Sequence, residues 1–392
     1  MNLDVGMVVA RWAASIVVRW TGKLVRRVVV EGVGNRSDQT MDATPAGDAT
    51  ISEEALAVLR RRIGIEYPAK PWNEYASRDA IRHFAEGIGD DNPLWSDPEY
   101  AGKTRWGSII APPTFLYTCC SAGGGAGQGL PGIFGLWAWD AWDWFQPICV
   151  GEKIRASTYL ATVGERRGRY AGRIIEQVQE TLFFNERNER LGRRQQCIMR
   201  MEKGQARGKG KYTSVDGYCY KEAEIQAIEE AYLSERRRGD APRFWEDVEV
   251  GDEVGSLVKG PLTLTSMIAF LMGYGSPMCR TDRIAHLYMH AHPNARLVDP
   301  ATNIPDLPEA SHWRDDLARR GGLPRGYDIG GQRISWMAHL MTDWMGDEGF
   351  LGRLEVQLRR PNFIGDTTWC RGRVADKRTK DGACFVECEV WG

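Results

Sequence analysis

From Ser52 onward, stretches with helical spacing of apolar positions alternate with stretches of strand-like alternation. Ser52-Glu53-Glu54 predicts an N-cap and an acidic first turn. Leu56, Leu59 and Ile63 then share one face, and Arg60, Arg61 and Arg62 close the helix in a charge order that suits its dipole. A second helix is predicted over 221–238, with Ile225, Ile228 and Tyr232 on one face and Arg236, Arg237 and Arg238 in its last turn. Lys153 to Thr162 and Thr368 to Val374 are rich in Thr, Val, Tyr and Trp in near alternation and read as strands. The stretch 204–217 reads as a flexible link, so the chain divides into units at 49–205 and 241–392, joined by 206–240.

The two units repeat one another. Phe84-Ala-Glu-Gly87-Ile-Gly89 matches Phe270-Leu-Met-Gly273-Tyr-Gly275, each after a helix-like segment. Pro147-Ile-Cys-Val-Gly151-Glu152 matches Pro361-Asn-Phe-Ile-Gly365-Asp366, a turn entering strands. Each unit therefore reads as a helix, a motif segment, a second helix beginning near Pro113 or Gly330, and a run of antiparallel strands. That order implies an α+β fold with a helix packed on a curved sheet. The second copy is the shorter. Its strands reach only Trp391-Gly392, where the first copy continues through a hairpin loop at 185–189 to a last strand through Ile198. Unit two is thus expected to lack its last strand, which a partner subunit would supply.

Charge and composition narrow the function. Lys and Arg number 51 against 52 Asp and Glu, which removes the basic footprint of a nucleic-acid binder. Arg11, Arg19 and Lys23 interrupt the most apolar early stretch, so no membrane span is expected. Nine cysteines, with no C-x-x-C pair, suggest reduced thiols in a cytoplasmic protein and no zinc ribbon. Trp137, Trp139, Trp142 and Trp144 suggest an aromatic core or pocket wall. The basic, apolar stretch 1–30 reads as an address, a membrane-surface helix or an upstream extension before a start at Met41, and 41–50 as a disordered end. Residues 1–48 are expected to stand outside the fold and add nothing to stability or turnover.

The candidate chemistry begins at Gly89-Asp90-Asp91-Asn92-Pro93-Leu94-Trp95, followed by Gly107-Ser-Ile-Ile-Ala-Pro-Pro113-Thr114. These segments resemble the MaoC-like (R)-specific enoyl-CoA hydratase and 3-hydroxyacyl dehydratase family. That family's motif is Asp-x-Asn-Pro-x-His, followed by an Ile-Ala-x-Gly start to the central helix. The resemblance covers both units and implies two hot-dog folds, each an antiparallel sheet wrapped around a helix. It departs from the family at Trp95, which stands where the catalytic His belongs. Indole exchanges no proton at neutral pH, so unit one is expected to accommodate the acyl chain, with Asp90, Asn92 and Trp95 lining the substrate site.

Unit two carries His286, His290, His292 and His312. The first three are expected on an inserted segment, 276–311, as surface or interface residues, since the family uses no metal. His312 has the family's layout, followed by Tyr327-Asp328-Ile329-Gly330-Gly331. The motif's Asp position falls on Ser276, so the partner acid must come from elsewhere. Asp306, Asp315 and Asp328 are the candidates, and Asp328 is favoured for its place at a helix start.

The resemblance implies interconversion of trans-2-enoyl and (3R)-3-hydroxyacyl thioesters, carried on CoA or an acyl carrier protein. His312 would be the acid/base group, with Asp328 or Asp306 as partner. Tyr327 and the backbone of Gly330 and Gly331 would face the thioester. No metal or redox cofactor is expected, because the thioester itself acidifies the α-carbon. A homodimer is compatible with this reading. Two rivals stand beside it: an acyl-CoA thioesterase and a non-catalytic acyl-binding subunit.

Overall fold

The computed structural model describes residues 14–17, 50–120, 130, 133–168, 172–202, 216–276, 278–299 and 301–392. The basic residues of 1–30, the small-residue stretch 41–49 and most of the 204–217 link lie outside the described residues.

The chain forms β1 (Ala14–Val17), α1 (Glu53–Arg60), β2 (Tyr67–Pro68), α2 (Arg78–Ile88) and α3 (Pro98–Gly102). Then come β3 (Phe134–Trp144), β4 (Arg155–Gly168), β5 (Gly172–Phe184), β6 (Arg190–Met201) and α4 (Glu222–Ser234). The second half holds β7 (Glu253–Lys259), α5 (Leu264–Tyr274), α6 (Asp282–Ala291), β8 (Leu297–Val298), β9 (Pro305–Asp306), α7 (Asp315–Arg320) and α8 (Gly330–Met345). It ends in β10 (Arg353–Gln357), β11 (Thr368–Lys380) and β12 (Ala383–Trp391). A 3₁₀ turn at Pro113–Cys119 and the helix α8 begin where the repeat predicts the two central helices.

Among the described residues ten strands join in one sheet, in the order β2-β4-β5-β6-β3-β10-β1-β12-β11-β7. The antiparallel β3–β10 pair, with Trp142 opposite Leu354, stitches the units together. Read outward from that seam, the two halves match strand for strand. Both are the expected hot-dog arrangement. In the second half, however, the place that β6 has in the first is taken by β1, antiparallel to β10 and to β12. The position expected to await a partner's strand is therefore occupied. Ala14–Val17 also departs from the expectation that 1–48 stands outside the fold.

The repeated Phe-x-x-Gly explains how the units meet. A Cβ on Gly87 would lie 2.9 Å from the Ala269 carbonyl oxygen and 3.2 Å from the Phe270 Cα, and one on Gly273 would lie 2.2 Å from the His83 carbonyl and 2.7 Å from the Phe84 Cα. Each helix thus presents its glycine to the other's phenylalanine, and α2 and α5 pack backbone to backbone. Phe84 and Phe270 are both fully buried in one core that also holds Phe115, Trp142, Trp144, Trp336 and Leu354. Burying such large aromatic and aliphatic side chains is worth roughly 1.5–3 kcal/mol each, so the shared core binds the units into one body. Among the described residues no helix is long and apolar enough to cross a membrane.

Candidate active site

The unit-one motif folds as the sequence directs. Gly89 ends α2 in the left-handed conformation, and Asp90 Oδ1 then accepts the Asn92 N–H at 3.1 Å. Asn92 caps the 3₁₀ turn Pro93–Trp95 through the Leu94 N–H. Its amide donates to Asp347 Oδ1 at 2.9 Å, and the Tyr100 hydroxyl donates to Asp347 Oδ2 at 2.5 Å. The loop after α8 of unit two thereby clamps the motif of unit one. Beside it opens a small, mostly apolar pocket lined by Trp95, Trp106, Trp144, Met345 and Phe350, with Asn92 and Asp347 at its polar edge.

Behind the motif lies a polar cluster built from both units. Lys259, at the end of β7, donates to the Ile88 and Gly89 carbonyls at 3.0 Å each and meets His339 Nδ1 at 2.9 Å. An ammonium has three hydrogens, and here each finds an acceptor. Burial lowers the Lys259 pKa; as an ammonium it donates to His339 Nδ1, which puts the ring's proton on Nε2, facing Asp343 Oδ2 at 3.3 Å and Asp90 Oδ1 at 3.6 Å. Burial, reinforced by Lys259, lowers the His339 pKa to about 3, so the ring is neutral. Burial also raises Asp343 to about 7 and lifts Asp90 and Glu235 above the ordinary carboxyl range. The donor atoms of Asp90, His339 and Asp343 lie within 4.8 Å of one another, the spacing of a cation site. Lys259 already supplies the positive charge there, and its contact with His339 makes the set a poor fit to a metal.

The unit-two counterpart is assembled differently. Ser276 follows Gly275 as Asp90 follows Gly89, and its Oγ accepts the Met278 N–H at 3.2 Å, the same two-residue turn. The hydroxyl donates to Glu309 Oε1 at 2.9 Å. His312 ends a 3₁₀ turn that opens on Pro308, as Trp95 ends the one opening on Pro93. Its Nδ1 lies 2.9 Å from the Tyr327 carbonyl, which accepts only, so the proton sits on Nδ1 and the lone pair on Nε2. The Tyr327 ring packs 4.4 Å from the imidazole. Tyr274, just before the motif, buries a hydroxyl with no partner among the described residues, and that hydroxyl lies 3.4 Å from where a Gly331 Cβ would be. A Cβ on Gly330 would be approached more closely still, by Trp137 and Leu358 at 2.9 Å, so a side chain there would displace them.

The candidate acids behave unlike one another. Asp328 is fully buried, accepts the Asn362 N–H at 2.9 Å and pairs with Arg333, so its carboxylate is taken up in anchoring the start of α8 to the strand entry. Asp306 lies on β9 and accepts the Leu307 N–H at 2.7 Å. Asp315 accepts the Gly326 N–H. His286 and His290 sit on α6, and His292 packs against Tyr288. Sequence reasoning missed Lys259, Asp343 and Glu309 and gave His339 no role. His339 and Asp343 carry a weak signal, an i,i+4 polar pair on a helix otherwise buried, and Glu309 another, three residues before His312.

Residues 61–193 match the family model described as FAS1-like, dehydratase domain region. A UPF0336 protein of Streptomyces avermitilis is 41% identical over 63 residues, 16% of this chain and 41% of the relative. A UPF0336 protein of Saccharopolyspora erythraea is 51% identical over 53 residues, 14% of this chain and 33% of the relative. The chain thus spans less than half the length of these relatives. A solved MaoC-like dehydratase superposes with a TM-score of 0.56 at 16% identity, covering 85% of this chain and 98% of that one, which shows a shared fold. The motif, the paired hot-dog units and the match over residues 61–193 agree: the chain is similar to the FAS1-like dehydratase region there and shares the fold of a MaoC-like dehydratase.

Proposed function

We propose that the protein interconverts trans-2-enoyl and (3R)-3-hydroxyacyl thioesters, with His312 as the acid/base group. The observation that carries this reading is the His312 geometry: Nδ1 donates to the Tyr327 carbonyl, which leaves the Nε2 lone pair as a base. In hydration, Nε2 takes a proton from water while the water oxygen bonds C3. The C2=C3 electron pair moves onto C2 and the thioester oxygen, and C2 then takes the proton back from the imidazolium. The Tyr274 hydroxyl and the backbone at Gly331 are the donors for the thioester oxygen. In unit one, Trp95 replaces the base, so its apolar pocket binds but does not react, which suits an acyl chain.

A second reading places proton transfer at Asp343, whose pKa of about 7 suits a general acid/base at neutral pH. One assay separates the readings: loss of the conjugated-thioester absorbance across a set of enoyl-CoA substrates, with free thiol followed in parallel. His312→Ala should lower turnover about 100- to 10,000-fold with the fold intact. A comparable loss in Asp343→Asn, with His312→Ala mild, would favour the second reading. Thiol release would instead mark a thioesterase, and binding without turnover an acyl-binding subunit.

A further inference from the structure

Unit two offers His312 as a base, but Ser276 follows Gly275 where Asp90 follows Gly89 in unit one. We propose that Glu309 supplies the missing carboxylate of this site, an inference that rests on the reading of His312 given above.

Ser276 reproduces the backbone role of Asp90. Both follow the glycine that ends the preceding helix, and both accept the N–H two residues on. What Ser276 cannot reproduce is the charge. The hydroxyl brings it in by donating 2.9 Å to Glu309 Oε1, which sets a carboxylate against the position the motif acid would occupy. The delivery comes from the inserted segment. Glu309 and His312 are three residues apart on the turn Pro308–His312, and in a 3₁₀ helix residues i and i+3 eclipse one another. The carboxylate and the imidazole therefore stand on one side of the same turn. Both residues are only partly buried, so substrate can reach them. Tyr327 adjoins both, since its carbonyl holds His312 Nδ1 and its phenol feels the Glu309 charge. Tyr274, with its unpartnered hydroxyl, feels that charge too.

In this arrangement Ser276 holds Oε1, leaving Oε2 to accept a hydrogen bond from the attacking water. The water's other proton passes to His312 Nε2 as its oxygen bonds C3. The carboxylate keeps its charge throughout and offsets the transient imidazolium, so nothing is oxidised or reduced. None of the candidates Asp306, Asp315 and Asp328 is held against Ser276; each is engaged elsewhere.

The test uses the full chain and an enoyl-CoA that the wild type hydrates. Glu309→Gln should lower kcat about 100-fold or more, with an unchanged melting temperature. Restoring the motif acid in that background, Glu309→Gln with Ser276→Asp, should recover much of the loss, which a purely structural role for Glu309 would not allow. Near-wild-type turnover in Glu309→Gln, beside a damaging His312→Ala, would overturn this inference and leave the reading of the site standing. So would a larger loss from Asp306→Asn or Asp328→Asn. A mild His312→Ala, or no turnover of any enoyl-CoA by the wild type, would remove the reading itself and this inference with it.

Discussion

Burial sets the state of the groups around Lys259. It holds the His339 ring neutral, with Lys259 against Nδ1 adding to the effect, and it raises the carboxyls nearby. This couples stability to pH in two opposing ways. His339 has a pKa of about 3 in the fold against an ordinary 6.5, so between those values the unfolded chain binds the extra proton and stability rises with pH. Asp343 has about 7 against 3.8, so there the folded chain binds the extra proton and stability falls as pH rises. The two windows overlap from about 4 to 6.5, and their slopes offset one another. His339→Gln should unmask the Asp343 slope, giving urea midpoints that fall from pH 4.5 to 6.5. Asp343→Asn should make the curve fall less steeply than in the wild type, with Asp90 and Glu235 keeping their share of the fall, and a steeper fall would contradict this account. Asp90 and Asn92 were legible in the sequence because their bonds close within a few residues. Lys259 and His339 were not, because they meet Asp90 only through the fold, and Glu309 reaches Ser276 only after a 276–311 insertion bends back.

Between elements, the repeated Phe-x-x-Gly was the most informative signal in the chain. It predicted two equivalent helices, and the structure supplies the reason: each glycine makes room for the other helix's backbone. Gly273→Ala would place a methyl 2.2 Å from the His83 carbonyl oxygen, against 2.9 Å from Ala269 for Gly87→Ala. Neither neighbour is a flexible side chain, so the helices must separate. Overpacking of this kind costs about 1–3 kcal/mol, and Gly273→Ala should lower the melting temperature more than Gly87→Ala. Equal, negligible shifts would mean the α2–α5 contact is looser than described. Other element boundaries were less legible. The helix predicted over 221–238 ends at Ser234, and the arginines beyond it serve contacts between segments. Arg237 pairs with Asp91 in unit one, and the Arg238 N–H donates to the Asp343 carbonyl at 3.0 Å. Helical charge order alone cannot separate a last turn from an extended segment that ties two units together. Ile63, expected on the α1 face, instead bridges to Leu160 beyond the helix end.

At the scale of the whole molecule, the sheet is continuous only because β1 fills the place between β10 and β12. The repeat made that place legible, since the second copy is short by one strand, but composition pointed away from 1–48 as its occupant. Four residues are too few for a periodic signal, and strand pairing is set by partners far off in the chain. The pairing registers Ala14 opposite both Val356 and Val390, and Ser15 opposite Glu355 and Glu389. Removing β1 would leave β10 and β12 with facing rows of unpaired N–H and C=O groups. Such exposed edges recruit other strands. A chain beginning at Met41 should therefore melt at a lower temperature than the full chain and associate as its concentration rises, read by thermal unfolding and by light scattering after gel filtration. Turnover at low concentration should fall less, because His312, Glu309 and Tyr274 lie on segments that do not pair with β1. An unchanged melting temperature and a monomer at all concentrations would show that the strand adds nothing, and would return 1–48 to the place its composition first suggested.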